Sequence, residues 1–420
     1  MVTEGRLERV GVSLHYLEWN AAETARPALL LLHGLSSNAA FWGRLAARLP
    51  NRRLVALDQR AHGGSAAPAE GYKAETLAAD AAALVAELGL GRVVVAGHSW
   101  GATIALQLAA DRPDLVAGLA VIDGPVRPWS ETGMTWEQAE KVMQPPLPLY
   151  DDLAAAVAER RAVLKAAWDD DLVEFVRAGL VEDGGRLRLP LTGPIRLQVL
   201  HAMFFQTYDV LWTQVRCPVL VAFAGGGAES TFGDFKRRSA AVVSEQVPGT
   251  TVHWYESGHD IPLEKPGEMA AELERLCLRA GMADVVAQIV AAEGDFQRPT
   301  GYRDWTAKDL LAHLSSTQTA LLTVATSRAS TDRPAERFDS DRWNAGQVRR
   351  RADQPVAALK EELSAARAEL DAVLAELPVA EAIGTGPYAG EPAATVMATM
   401  IEHQRGHQAE LTRALGAPSP

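Results

Sequence analysis

Residues Gly97-His98-Ser99-Trp100-Gly101 set a serine between two glycines, with the β-branched run Val93 to Val95 before them and an apolar, helix-forming stretch after. A sharp turn from strand to helix strains the backbone of its central residue and leaves no room for side chains two positions either side, which is the place of the glycines. The hydroxyl is then held above the strand end. The first amides of the next helix face whatever it attacks, so Trp100 N–H is a donor for a developing oxyanion. A second donor must come from another loop, and Leu35, in the His33-Gly34-Leu35 turn, is the candidate. A serine needs a base to become a nucleophile. Among the ten histidines, His259 stands in a loop at a strand end, within Ser257-Gly258-His259-Asp260, and is the candidate base. His15, His201 and His253 lie inside apolar stretches and read as packing residues, whereas His62 and His98 read as supports for loops.

These side chains need a frame. PALLLLHG (27–34), RLVALDQ (53–59), VVVAG (93–97) and GLAVIDG (118–124) are short apolar runs closed by polar or glycine residues, the form of strands buried on both faces. Ala-rich amphipathic segments separate them, which predicts an α/β fold with a doubly wound sheet. His33, Asp58, Ser99 and Asp123 then fall at the carboxyl ends of strands, where ligand chemistry gathers in such sheets.

Composition bounds the function. A chain of 420 residues predicts two domains. An acidic balance, 53 acidic against 41 basic residues and a net charge of −12, argues against nucleic acid and for a small-molecule partner. Cys217 and Cys277 form no spaced pair, so neither a disulfide framework nor a thiolate metal site is expected, and a cytoplasmic setting fits. No export signal and no membrane span is indicated.

His33-Gly34, LDQRAHGGS (57–65), GHSWG (97–101) and SGHDIPLEKP (257–266) together resemble the α/β-hydrolase family over about residues 5–280. The resemblance implies a triad in the chain order nucleophile, acid, histidine. The family usually places the acid in the turn after the strand that here reads CPVLVAFA, but that turn is GGGAES and has no Asp. Two candidates remain: Asp123, at the end of the strand after the nucleophile helix, a position some branches use, and Glu229, in the expected loop. Asp123 is preferred, because a carboxylate directly off a strand end is held more rigidly than one beyond three glycines. Between about 125 and 216 the sheet pattern gives way to helical periods, similar to the cap that many α/β-hydrolases insert over the site. It holds nine aromatics: Trp129, Trp136, Tyr150, Trp168, Phe175, Phe204, Phe205, Tyr208 and Trp212. They read either as a pocket for a hydrophobic substrate or as the cap's own core.

After about residue 281 strand signals end. Helical periods near 283–292, 305–327, 355–377 and 393–415 predict a four-helix bundle over 282–420, with a capping box from Thr306 to Asp309. His403 and His407 are four apart and share one helix face, as two ligands of one ion must. WTAKDLLAHL (305–314), FDSDRWNAGQV (338–348) and the terminal H-x-x-x-H resemble the DinB-like family, which includes mycothiol-dependent maleylpyruvate isomerases. The resemblance covers about 282–418 and implies that His313, His403 and His407 bind one divalent ion, for which zinc, nickel and iron all suit imidazole. Glu402 precedes the first histidine of the pair, so the H-E-x-x-H pattern of metalloproteases is not met.

The expectation is a serine hydrolase acting on a small, hydrophobic carboxylic ester or lactone through an acyl-enzyme; C–C bond hydrolysis and perhydrolysis share the fold. Two other readings make the bundle the working enzyme, a metal- and thiol-dependent transferase or isomerase, or a non-catalytic oligomerisation module. A homodimer is compatible with either.

Overall fold

The computed structural model describes residues 2–23, 27–144, 146–225, 231–326, 339–384, 388 and 390–416. The chain divides into two compact units, Met1–Leu273 and Glu274–Pro420.

The strands of the first unit are β1 (Val2–Arg9), β2 (Val12–Trp19), β3 (Leu29–Leu32), β4 (Leu54–Leu57), β5 (Val93–His98) and β6 (Val116–Ile122), then the short β7 (Leu149–Tyr150), β8 (Val181–Asp183) and β9 (Arg186–Arg188), and finally β10 (Val219–Ala224) and β11 (Thr251–Tyr255). Eight of them form one sheet in the order β1-β2-β4-β3-β5-β6-β10-β11. β2 runs antiparallel to both neighbours, and from β4 to β11 the pairing is parallel. Every residue of β3, β4, β5, β6 and β10 is buried, so these apolar runs are covered on both faces as a parallel sheet requires. The chain steps from β3 outward to β4 and then back across β3 to β5. That reversal opens a crevice at the carboxyl ends of β3 and β5, where the His33-Gly34-Leu35 turn and Ser99 stand side by side. The helix Trp100–Asp111 that follows Ser99 is buried along its length up to Ala110, which fits its nearly unbroken apolar sequence.

The segment between β6 and β10 is helical, as its periods predict, but it also holds a three-stranded sheet in the order β7-β9-β8. β8 and β9 are joined by Gly184 and Gly185 at φ 59° and 84°, the pair of positive values that a two-residue hairpin turn of this hand demands. The Gly-Gly signal outweighs the helical period there.

In the second unit helices Ala307–Thr326, Val356–Ala375 and Ala393–Leu415 match the predicted segments. The helix expected near 283–292 is the end of a longer one, Pro266–Ala291. A further helix, Ser340–Arg350, has a polar sequence that buries only Val348 and so shows no apolar period; Asp339 caps its start. Leu310, Leu314, Leu359, Leu363, Leu370 and Leu411 are fully buried and form the centre of the bundle. Among the described residues no helix is long and apolar enough to cross a membrane.

Candidate active site

Ser99 has φ 53° and ψ −120°, a strained conformation for a residue with a Cβ. Its neighbours explain how it is held. A Cβ on Gly97 would lie 2.2 Å from the Gly101 carbonyl oxygen, and a Cβ on Gly101 would lie 2.1 Å from that of Leu32. Both clashes are with backbone, so strand end, turn and helix start close on one another only because these two residues are glycine. Ser99 N–H donates to Ile122 O at 2.9 Å, tying the turn to β6.

The second loop meets the serine directly. A Cβ on Gly34 would be 3.1 Å from Ser99 Cβ. Among the described residues neither Leu35 N–H nor Trp100 N–H has an acceptor, while the adjoining Ser36 N–H is taken by His62 Nε2 at 3.0 Å. Two unclaimed amides beside a serine are what an oxyanion needs. The turn is clamped from below by His33, whose Nδ1–H donates to Gly34 O at 2.8 Å and whose Nε2 accepts from Gln59 N–H at 3.1 Å. Burial holds His33 below its ordinary pKa, and burial takes His62 to about 3, so both clamp as neutral rings. Asp58, also buried, accepts from Ala39 N–H, Gly64 N–H and His15.

His259 Nδ1–H donates to Asp123 Oδ2 at 2.7 Å, which leaves Nε2 as the free, basic nitrogen. Asp123 leaves β6 with φ 43°, and its second oxygen accepts from Ala224 N–H at 2.9 Å and from Lys236 Nζ at 2.7 Å. Burial pushes the Asp123 carboxyl up, but His259 and Lys236 together bring it below its ordinary value. Burial pulls His259 down, and the hydrogen bond and charge of Asp123, aided by Asp260, more than reverse this, so its pKa stands above 6.5. His98 braces the same loop: its Nε2–H donates to His259 O at 2.9 Å, and its ring lies between those of His259 and Phe41, at 4.7 and 4.8 Å. Ser99 Oγ makes no hydrogen bond among the described residues, to His259 included; such bonds commonly tighten only around substrate. Glu229, the other candidate acid, lies outside the described residues.

Lys236 is a residue that sequence reasoning passed over, because one lysine on the amphipathic helix Thr231–Gln246 carries no local signal of its target. Three histidine readings need correction. His15 Nδ1–H donates to Asp58 Oδ2 at 2.7 Å, His253 Nδ1 lies 3.0 Å from Glu272 Oε1, and His201 is exposed against Trp136 and Phe205. Their apolar neighbours in sequence point to other faces of the strand or helix.

Most cap aromatics serve the cap itself. Trp136, Phe204 and Phe205 form one ring cluster, and Tyr208 and Trp212 are fully buried, Tyr208 against Thr103 of the helix after Ser99 and Trp212 on Val126 O. Beside the His33-Gly34-Leu35 turn a cavity of about 130 Å³ remains, with Ser36, Asn38, Tyr150, Arg160 and Phe175 in its wall.

In the second unit the donor nitrogens of His313, His403 and His407 all lie within 4.8 Å of one another. His407 Nδ1–H donates to Glu410 Oε2 at 2.8 Å, which fixes its tautomer and leaves Nε2 free. Both ring nitrogens of His313, and Nε2 of His407, are buried without a hydrogen-bond partner. Burial, then the neighbouring imidazoles, takes His313 to about 3, and burial also lowers His403. Three imidazoles converging on one point, two of them buried with orphaned ring nitrogens and the third, His403, open to solvent, fit a divalent cation, which would satisfy those nitrogens.

A strained serine turn at the switch point of a parallel sheet, with a histidine–aspartate pair beside it, defines the α/β-hydrolase class, and the chain belongs to this family. The alpha/beta hydrolase fold model matches residues 27–158, and the model of the mycothiol maleylpyruvate isomerase N-terminal domain, a metal-binding family, matches 276–408 of the same chain. Lipase LipV of Mycobacterium tuberculosis is 30% identical over 282 residues, 62% of this chain and 96% of the lipase. The 2-(acetamidomethylene)succinate hydrolase of Mesorhizobium japonicum is 41% identical over 107 residues, which cover 25% of this chain and only 38% of that relative. The crystal structure of E-2-(acetamidomethylene)succinate hydrolase superposes on 66% of this chain and 99% of its own with a TM-score of 0.56, at 24% identity, and shows the shared fold. The chain is thus a hydrolase with a helical domain at its C-terminal side.

Proposed function

We propose that the first unit is a serine esterase that cleaves a small carboxylic ester or lactone through an acyl-enzyme. The His259–Asp123 pair beside the strained Ser99 turn is the observation that carries this reading. Ser99 Oγ attacks the carbonyl carbon as His259 Nε2 takes its proton. The carbonyl oxygen becomes the oxyanion and accepts from the Leu35 and Trp100 amides. Asp123 keeps His259 in the Nδ1–H tautomer and stabilises the imidazolium. His259 then returns the proton to the leaving alkoxide, which departs. Water, deprotonated by the same nitrogen, attacks the acyl carbon and releases the acid and Ser99. The relationship to a lipase over nearly its whole length supports ester substrates. Intact mass after a fluorophosphonate probe tests the nucleophile: one adduct on the wild type and none on Ser99→Ala is expected, and equal labelling of both refutes it.

The orphaned nitrogens of His313 and His407 favour a second activity. His313, His403 and His407 would hold a divalent ion, zinc, nickel or iron, which when bound supplies Lewis-acid activation to a thiol-dependent transferase or isomerase. In that arrangement Glu410 orients His407, and the Trp305 and Tyr302 rings pack against His313 at 5.3 Å and His407 at 4.6 Å. An oligomerisation role for the bundle has no comparable observation behind it.

A further inference from the structure

We infer that the substrate carries a carboxylate, or an equivalent small anion, on its acyl side, recognised by Arg196 and Arg160 beside the oxyanion turn. The inference rests on the serine-esterase reading and names its substrate class.

Arg196 lies on the cap helix Gly193–Phe204 and is half-buried. Its guanidinium donates to two neutral oxygens: Nη1–H to Ser36 Oγ at 2.7 Å and Nε–H to Met143 O at 3.0 Å. Among the described residues no carboxylate pairs with it, and Nη2 has no partner. Burial alone acts on its pKa, downward, and no acid opposes this. A half-buried, uncompensated cation is costly, and this chain has 53 acidic residues with which to pair its 41 basic ones. By contrast, half-buried Arg60 is paired with Asp80, and buried Arg279 with Asp371.

Position makes the exception informative. Ser36 follows Leu35, whose amide is the free donor, and Ser36 is also in the wall of the 130 Å³ cavity. Arg160 enters that cavity from the cap helix Leu153–Leu164. It lies over the Phe175 ring at 5.5 Å, and among the described residues it too has no ion pair. Glu159 is the carboxylate of the cavity wall, but it is exposed and is engaged with Tyr150 rather than with either arginine. A planar guanidinium with free N–H groups suits a carboxylate, and Arg160 in the wall of the cavity that Ser36 also lines supplies a second cation for the same anion. An acyl group whose carbonyl sits at the Leu35 amide would place its far end within reach of these two side chains. Half-esters of short dicarboxylic acids, or lactones bearing a carboxylate, have that form.

The test compares kcat/KM for the mono-4-nitrophenyl ester of glutaric acid with that for 4-nitrophenyl butyrate, and measures calorimetric binding of glutarate to Ser99→Ala. The wild type should favour the anionic ester. In Arg196→Met the ratio should fall on the order of 10- to 100-fold, with partial recovery in Arg196→Lys, and glutarate should bind Ser99→Ala but not Ser99→Ala/Arg196→Met. If Arg196→Met melts early, Arg160→Met gives the same reading of the ratio. A wild type indifferent to the extra charge, or an unchanged ratio in both arginine variants, overturns the inference while leaving Ser99 as nucleophile. Glutarate binding that depends on Arg196, in a protein whose ester turnover survives Ser99→Ala, would uphold it and remove the serine reading instead.

Discussion

Gly101→Ala adds one methyl group at the place where the fold of the first unit is tightest. The new Cβ would start 2.1 Å from Leu32 O and 2.6 Å from His33 O, and real Cβ contacts stay above 3.0 Å. Both oxygens belong to backbone, at the end of β3 and in the turn that carries Leu35, so no side chain can rotate away. The gap must open by about 1 Å, and the compliant partner is the turn, because β3 is paired on both sides. A shift of that size takes the Leu35 amide out of reach of the oxyanion. Losing one such donor costs about 100- to 1,000-fold in kcat, and overpacking costs roughly 1–3 kcal/mol of stability, so the variant should fold with a modestly lower Tm and turn over poorly. The assay is kcat on the preferred ester, normalised to sites labelled by fluorophosphonate, with Tm from calorimetry. Wild-type kcat in a folded Gly101→Ala protein would refute the claim that this close approach sets the oxyanion geometry.

Two further predictions address groups that act through others. Catalysis by His259 requires the neutral ring, so kcat/KM should fall as pH drops through a pKa above 6.5, and because Lys236 lowers that pKa, Lys236→Met should move the acidic limb to higher pH. A limb that stays in place or moves down in the pH profile excludes this electrostatic role. Glu410→Gln should weaken divalent-ion affinity about 10- to 100-fold by loosening His407, measured by competition with a chromophoric chelator; unchanged affinity would mean that the His407–Glu410 bond does not orient a ligand.

What the sequence determined by itself is local. Gly97 and Gly101 around Ser99 dictate the strand-to-helix turn, because the steric demand lies within five consecutive residues. The buried strands were legible for the same reason, since runs such as LLLL at 29–32 can be satisfied only with both faces covered. His403 and His407 share a helix face by spacing alone.

The tertiary structure decided what depends on residues far apart in the chain. The sequence left Asp123 and Glu229 as candidate acids and preferred Asp123 for its place at a strand end; that Asp123 meets His259 is decided by the order in which β6, β10 and β11 pair. Lys236 arrives from a helix after β10 and has no motif to announce it. His15 looks apolar by its neighbours and yet faces Asp58, because pairing of β2 with β4 selects its face. The cap aromatics read either as a pocket or as the cap's own core, and the tertiary structure divides them: most pack against one another or against the helix after Ser99, while Tyr150 and Phe175 join Arg160 in the wall of the cavity that remains. Short-range sterics and period are written along the chain, whereas the partner of a charge is set by which distant segments the sheet and cap bring into contact.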